Sequence, residues 1–160
     1  MALDPVVSTI VVPCDRQTAF EIFTEDMASW WPLDKRSMSV KQGKRVEALH
    51  VDARLGGQIV ELSEDGTEYL WGTYRVFDPY TSVTLDFHMG MPPSKASTVE
   101  VVFTARGEAR TEVVLSQSNW EAFGDLAEMM RNGYGSSWVL IFDEGFGELC
   151  RRRAQGEGAT

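Results

Sequence analysis

The sequence predicts an α+β domain in which one long helix near the C-terminus covers an antiparallel sheet. A β-branched segment is followed by a helical one, and then by alternating segments separated by turn signals such as Asp65-Gly66 and Asp78-Pro79. The C-terminal region carries an apolar stripe at helical spacing. Because sequential hairpins favour an antiparallel sheet with one covered face, the single long helix is the expected cover.

The first strand is predicted over residues 6–12, where β-branched and apolar residues dominate. Asp15 can cap a helix after it, because its carboxylate can accept a bond from an unpaired backbone N–H. The apolar residues of this helix recur at helical spacing: Phe20, Phe23, Met27, and Trp30 or Trp31. Pro32 disfavours helical geometry at Trp31, so the helix, or pair of short helices, should stop there. Residues 33–45 hold five Lys or Arg and predict a loop.

Six antiparallel strands should follow, with bounds or cores at residues 46–52, 58–64, 67–77, 82–88, 98–104 and 111–115. A two-residue turn at Asp65-Gly66 would pair Glu61 with Leu70 and Ile59 with Gly72. In the strand over 82–88, alternation predicts that His88 points outward, away from the buried face.

The last helix is predicted from a broad apolar stripe made by Tyr134, Trp138, Ile141, Phe142, Gly145 and Leu149. An earlier start of this helix, near Asp125, is the alternative. The basic residues 151–153 suit the negative C-terminal end of the helix dipole. One domain is therefore expected over residues 1–150, with a helix end and a disordered tail over residues 151–160.

The amino-acid composition and charge exclude several classes of function. With 160 residues, 43% of them hydrophobic and 24% charged, the chain is typical of a globular protein. Its net charge of −9 disfavours contact with phosphate backbones, so no nucleic-acid role is predicted. No apolar run approaches the ~20 residues of a membrane span, and no signal pattern is visible, which predicts a cytoplasmic protein. Cys14 and Cys150 are expected to be free thiols.

Several motifs occur in an order that resembles a known family. They are WWP at 30–32, GGQIVEL at 56–62, DG at 65–66, WG at 71–72, DP at 78–79, TVEVVFT at 98–104, Trp120 and GYGSSW at 133–138. Over roughly residues 6–150 this set resembles the AHSA-type family, activators of heat-shock ATPase homologues, of the START-like, Bet v 1-like (SRPBCC) superfamily.

The resemblance implies a helix-grip fold, in which a curved antiparallel sheet wraps around the long C-terminal helix and leaves a cavity. The superfamily includes lipid and hormone carriers, polyketide cyclases and aromatases, and chaperone regulators. Its pattern places residues matching Ile59 and Tyr74 inside, which would point Glu61 into the cavity. A charged carboxylate there is costly unless it finds a donor. Glu61 is thus a candidate ligand orienter, or alternatively the partner of a nearby arginine.

The predicted ligand-binding residues are Glu61, Tyr74, Phe87, Trp120, Tyr134, Trp138 and Phe142. Core packing explains aromatic residues at such spacing as well, but Tyr134 and Trp138 are favoured because they lie on the covering helix. Met89 and Met91 flank a Pro-rich loop that is either an adaptable lid or a plain connection. The hairpin face with Trp71 would be partly exposed, and either carries a homodimer contact or is covered by the first helix or by residues 33–45.

The predicted function is binding of a small hydrophobic ligand between sheet and helix, with no catalysis assigned. The isolated histidines His50 and His88 give no metal-ligand spacing, and no nucleotide fingerprint is present, so neither a metal nor a cofactor is predicted. Two alternatives remain: a cyclase- or aromatase-like enzyme using Glu61 or Tyr134 for proton transfer, and a protein-binding regulator of a heat-shock chaperone ATPase. A cavity of ~300–1,000 Å³ would favour a ligand.

Overall fold

The computed structural model describes residues 3–156 and confirms the predicted fold class. Seven strands form one curved antiparallel sheet in the order β1-β7-β6-β5-β4-β3-β2. Their bounds are β1 Val6–Val12, β2 Val46–Val51, β3 Gln58–Ser63, β4 Glu68–Asp78, β5 Ser82–Phe87, β6 Ser97–Gly107 and β7 Arg110–Ser118. The sheet order places β1 beside β7, so the chain crosses the sheet once and then returns through consecutive hairpins.

The helices form the second layer. After β1 come α1 Arg16–Thr24, α2 Met27–Trp30 and α3 Met38–Lys41. A short 3₁₀ turn, Pro93–Lys95, precedes β6. The C-terminal helical stretch consists of a 3₁₀ segment Trp120–Leu126, α4 Ala127–Trp138, a π-helical segment Val139–Phe146 and α5 Gly147–Ala154. The N-cap predicted for α1 is present, because the Thr18 backbone N–H donates to Asp15 Oδ1 at 2.7 Å.

The core lies between the sheet and the C-terminal helix. The inward residues of β5, β6 and β7 are buried as alternation predicts: Val83, Leu85, Phe87, Val99, Val101, Phe103, Val113 and Leu115. The predicted helical stripe faces them, with Trp138, Ile141, Phe142 and Leu149 buried. Cys14 and Cys150 are buried free thiols.

The β3–β4 hairpin departs from the predicted two-residue turn. The Ser63 backbone N–H donates to the Thr67 carbonyl, so three residues form the loop, and Gly66 takes a φ of +88° that glycine adopts at no steric cost. Glu61 therefore pairs with Tyr69 and not with Leu70.

Two bulges in β4 then correct the predicted position of Trp71. The register shifts between Ile59 and Val60, and again where Tyr74 and Val76 meet β5. Each shift moves the following side chains to the other face of the strand. Trp71 consequently points inward beside Glu61 and is 0% exposed, so the outer face predicted for a homodimer contact lacks its largest aromatic residue.

His88 and the 33–45 segment also differ from expectation. His88 was predicted to face outward, yet it is 3% exposed. Because β5 ends at Phe87 and Met89 takes a φ of +41°, strand alternation no longer applies at His88. Within the predicted loop, residues 38–41 form the single helical turn α3.

At the C-terminal end, the basic residues Arg151, Arg152 and Arg153 occupy the last turn of α5, as predicted. The last four residues of the predicted tail lie outside the described range. In the part of the chain that the structure describes, no helix has the length and apolarity needed to span a bilayer.

Candidate functional site

Glu61 on β3 lies at the centre of a buried hydrogen-bond cluster. Its Oε1 accepts from the Met38 backbone N–H at 3.0 Å and from Trp71 Nε1 at 2.9 Å. Its Oε2 accepts from the Ser39 backbone N–H at 2.7 Å and from the Ser39 hydroxyl. The carboxylate is 0% exposed and thus compensates its burial with four donors. The side chain points into the core and ties α3 to the sheet, and its role as a ligand orienter stays a prediction.

The rest of the interior near α4 is filled by aromatic rings. Trp31 packs against Trp71 and Trp138, with ring centroids 4.7 and 5.9 Å apart. Phe87 on β5 lies 6.3 Å from Trp138. These four rings occupy the middle of the space between sheet and helix, where the sequence predicted an apolar hollow.

A polar chain runs through the same region. Trp138 Nε1 donates to Gln117 Oε1 at 2.8 Å, Gln117 Nε2 donates to the Ser97 hydroxyl at 2.9 Å, and Ser97 donates to the Phe87 carbonyl at 2.8 Å. Each donor in this hydrogen-bond network has an acceptor, so the network fixes the Trp138 ring. Little of the ring surface is then available to a ligand.

A cavity of about 340 Å³ opens beside this cluster, between α4, α3 and the loop after β5. Apolar groups form much of its surface: Met89, Met129, Met130, Gly133, Tyr134 and Ile141. Its polar rim comes from Lys35, Arg36, Ser37, Lys41 and Ser137. The anchor at Glu61 matters here because α3 and the residues before it form one wall.

Tyr134 connects the cavity to the aromatic cluster. Its ring stacks on Trp138 at 6.1 Å and contacts Phe87 and Trp120 at 5.9 and 6.0 Å. Burial raises the pKa of the Tyr134 hydroxyl above its ordinary value, so the group stays protonated at neutral pH. Within residues 3–156 no hydrogen bond is made by this hydroxyl, which leaves it available as a donor on a residue that lines the cavity.

Arg36 lies at the polar rim, or mouth, of the cavity and is bonded to α4. Its Nε donates to the Ser137 hydroxyl on α4 at 3.3 Å, and its Nη1 donates to the Lys35 carbonyl at 3.1 Å. The Arg36 carbonyl in turn accepts from Trp31 Nε1 at 2.7 Å, so the backbone is tied to the aromatic cluster. The guanidinium therefore spans from the 33–45 segment to α4.

The seven predicted ligand-binding residues separate into three groups. Tyr134 lines the cavity. Three others contact the Tyr134 ring with their own rings: Phe87, Trp120 and Trp138. Glu61, Tyr74 and Phe142 lie elsewhere in the core, each of them 0% exposed. The binding roles of all seven stay predictions, and of the seven only Tyr134 is among the residues that line this cavity.

Sequence reasoning did not select the basic rim or the two methionines of α4, Met129 and Met130. The available signal was the concentration of Lys and Arg in residues 33–45, which was assigned to a loop. Met89, which flanks the loop predicted to be either an adaptable lid or a plain connection, lines the cavity.

Other buried polar groups lie away from the cavity. The Tyr74 hydroxyl and Trp120 Nε1 have no hydrogen-bond partner among the described residues, and burial raises the pKa of Tyr74. Within the described range, no group of three or more His, Cys, Asp or Glu side chains is arranged to hold a metal ion.

Comparison with known proteins supplies the remaining findings. The family described as Activator of Hsp90 ATPase homolog 1-like protein matches residues 13–143. No curated protein matches the chain.

Three solved structures illustrate the structural similarity. The anthrahydroquino-gamma-pyrone synthase Txn09, solved in a complex, is 26% identical with a TM-score of 0.64, covering 92% of this chain and 97% of its own. CalC from Micromonospora echinospora, a self-sacrificing resistance protein, is 26% identical with a TM-score of 0.69, covering 98% and 97%. The Hsp90 activator PFC0360w from Plasmodium falciparum, 18% identical with a TM-score of 0.55 over 87% and 96%, shares the fold.

Proposed function

The chain belongs to the family of Activator of Hsp90 ATPase homolog 1-like proteins, and on this premise we propose that it binds a small hydrophobic molecule in the cavity beside α4. The observation that carries the proposal is the cavity itself. Its volume of about 340 Å³ lies within the range of ligand pockets, which are typically ~300–1,000 Å³ and mostly apolar with a few polar groups.

The character of the lining supports a hydrophobic guest. Three methionines, Met89, Met129 and Met130, surround the opening, and Met129 is 62% exposed. An unbranched thioether side chain adapts its shape to a ligand, and an exposed one gains most from being covered. Tyr134, which lines the cavity, supplies a hydroxyl donor that would orient a carbonyl or hydroxyl oxygen of the ligand.

The similar structures add a second candidate. Txn09 is a synthase, which favours a cyclase- or aromatase-like enzyme using the same cavity. In that case the Tyr134 hydroxyl would donate a hydrogen bond to a substrate oxygen, because its raised pKa makes it a poor proton donor at neutral pH. Ligand binding without turnover is the simpler proposal, because the groups that line the cavity are donors and cations.

The family description also keeps a role as a regulator of a chaperone ATPase among the proposals. A homodimer is a further proposal, because Aha1 from Colwellia psychrerythraea, a solved structure with a similar fold, is a dimer. A monomeric mass in light scattering would count against the homodimer. Failure to change the ATPase rate of a heat-shock chaperone would count against the regulator.

The cavity can be tested by filling it. Gly133 on α4 lines the cavity, and a Cβ at this position would meet no atom within 4 Å. The backbone at this position therefore has room for a side chain, and we expect the ring of Gly133→Phe to occupy part of the cavity. Asn132→Phe is the matched control, since Asn132 is the exposed neighbour on α4 and does not line the cavity.

Native mass spectrometry of freshly purified protein should show a bound small molecule, and the neutral dye N-phenyl-1-naphthylamine should bind the wild type and Asn132→Phe with enhanced fluorescence. Gly133→Phe should lose both the copurified molecule and at least about tenfold in dye affinity, the effect of losing a well-filled apolar site. Absence of adduct and dye binding in the wild type, or equal dye binding by all three proteins, would overturn the proposal.

A further inference from the structure

The mouth of the cavity is positively charged in a protein that is otherwise acidic. Lys35, Arg36 and Lys41 line it, while the chain as a whole carries 24 acidic and 15 basic residues. None of the described residues that line the cavity is acidic. In an acidic protein, such a local concentration of cations creates a field that attracts a negatively charged ligand and repels a cation.

These cations lack carboxylate partners. Within residues 3–156, the ion pairs of the structure involve other basic residues, and none includes Lys35, Arg36 or Lys41. By contrast, Lys44 and Arg45 at the end of the same segment pair with Asp65 and Glu64. The basic residues of this segment are therefore paired outside the cavity and unpaired at its mouth.

Arg36 is held in position with donors to spare. A guanidinium has five N–H donors, and the contacts to Ser137 and to the Lys35 carbonyl use two of them. A guanidinium fixed on a second element loses little conformational freedom on binding, and its planar fork matches a carboxylate, sulfonate or phosphate oxygen pair.

Adjacent to this charged mouth, the cavity is lined by methionine, tyrosine and isoleucine side chains. Building on the proposed function, we propose that the ligand is an amphipathic anion: an apolar body lies against Tyr134 and Ile141, and an acidic group contacts Arg36 with Lys35 and Lys41 around it.

Two dyes that differ by a single charged group test this proposal. N-phenyl-1-naphthylamine is the neutral counterpart of 8-anilinonaphthalene-1-sulfonate, which carries one sulfonate on the same ring system. The sulfonate dye should bind the wild-type protein about tenfold more tightly at low salt, and this advantage should shrink as salt rises from about 0.02 M to about 0.5 M, because screening weakens exposed charge pairs.

The double variant Arg36→Gln/Lys41→Gln should reduce affinity for the sulfonate dye about three- to tenfold more than it reduces affinity for the neutral dye. Lys95→Gln/Arg110→Gln is the matched control, since it removes the same charge at exposed positions outside the cavity and should bind both dyes as the wild type does. Near-ultraviolet circular dichroism confirms that each variant keeps its packed core.

The outcomes separate this inference from the proposed function. If both dyes bind equally tightly, and neither double variant discriminates between them, the anionic ligand is wrong while the cavity remains a binding site. If neither dye is sensitive to Gly133→Phe, the cavity is not the binding site and the proposed function fails first.

Discussion

Burial of a single imidazole links the stability of this protein to pH. His88 is 3% exposed at the end of β5, and its Nδ1 has no hydrogen-bond partner in the described part of the chain. Desolvation lowers the pKa of His88, while a hydrogen bond to the Met91 backbone and the charge of Asp86 act in the opposite direction. The folded protein therefore favours the neutral ring more than the unfolded chain does.

This difference predicts the direction of a pH effect. An unfolded histidine takes up a proton as the pH falls through about 6.5, whereas the folded His88 does so only at lower pH. The unfolded state then binds more protons, so the free energy of unfolding should decrease between about pH 7 and pH 5. Urea unfolding at a series of pH values should show a smaller decrease for His88→Gln than for wild type.

His50→Gln is the matched control, since His50 is exposed on β2. It should keep the wild-type decrease. If His88→Gln and wild type lose the same amount of stability over this interval, His88 does not carry the effect.

At the scale of elements, one side chain joins α3 to the sheet. Glu61 accepts hydrogen bonds from two backbone N–H groups of α3, from the Ser39 hydroxyl and from Trp71. A single turn of helix such as α3 is not stable by itself, because its nucleation cost is not repaid by further turns. The Glu61 carboxylate is thus what holds this wall of the cavity in place.

Replacing Glu61 should release that wall. Glu61→Leu leaves the Trp71 indole N–H and the Ser39 N–H buried without acceptors, which should cost about 2–6 kcal/mol at about 1–3 kcal/mol per buried donor. Urea unfolding measures the loss. Glu61→Gln retains one carbonyl oxygen and should lose less.

Limited trypsin digestion gives a local readout, because residues 33–45 contain five Lys or Arg. Cleavage in this segment should be faster in Glu61→Leu than in the wild type. A Glu61→Leu protein that is as stable as wild type and loses only ligand binding would instead support the role as a ligand orienter that the sequence suggested.

The elements also show where sequence reasoning reaches its limit. Strict alternation located the buried faces of β5, β6 and β7, because those strands pair without interruption along these residues. It failed in β4, since two bulges change the face on which side chains appear, and both faces of its sequence look apolar. Bulges depend on pairing with neighbouring strands, which a local pattern does not contain.

The candidate site was predictable to a similar degree. Tyr134 was identified because a helical stripe fixes the face of its helix. The basic rim at Arg36 and Lys41 was not identified, because its position depends on long-range contacts. Met38 and Ser39 are bonded to Glu61, which lies 23 and 22 positions further along the chain. Whether an aromatic residue lines a cavity or fills the core depends on its neighbours in space, as the Trp138–Gln117 bond shows.

At the scale of the whole molecule, the spacing between α2 and the C-terminal helical stretch depends on one glycine. Gly145 lies in the π-helical segment, and a Cβ there would come within 2.4 Å of the Trp30 carbonyl oxygen at the end of α2. Backbone cannot yield to such a contact as a flexible side chain can. The C-terminal helix and α2 therefore pack against each other at a distance that only glycine permits.

The same substitution at two glycines of the C-terminal helical stretch should have opposite effects. Gly133→Ala meets no atom within 4 Å and should stabilise the protein by up to about 1 kcal/mol through helix propensity. Gly145→Ala gains the same propensity but forces α2 and the C-terminal helical stretch apart, so it should be less stable than Gly133→Ala by about 1–3 kcal/mol. Urea unfolding followed by tryptophan fluorescence reports the global transition. Equal midpoints for the two variants would show that the two helical elements tolerate the added methyl group, and would remove Gly145 as the determinant of their spacing.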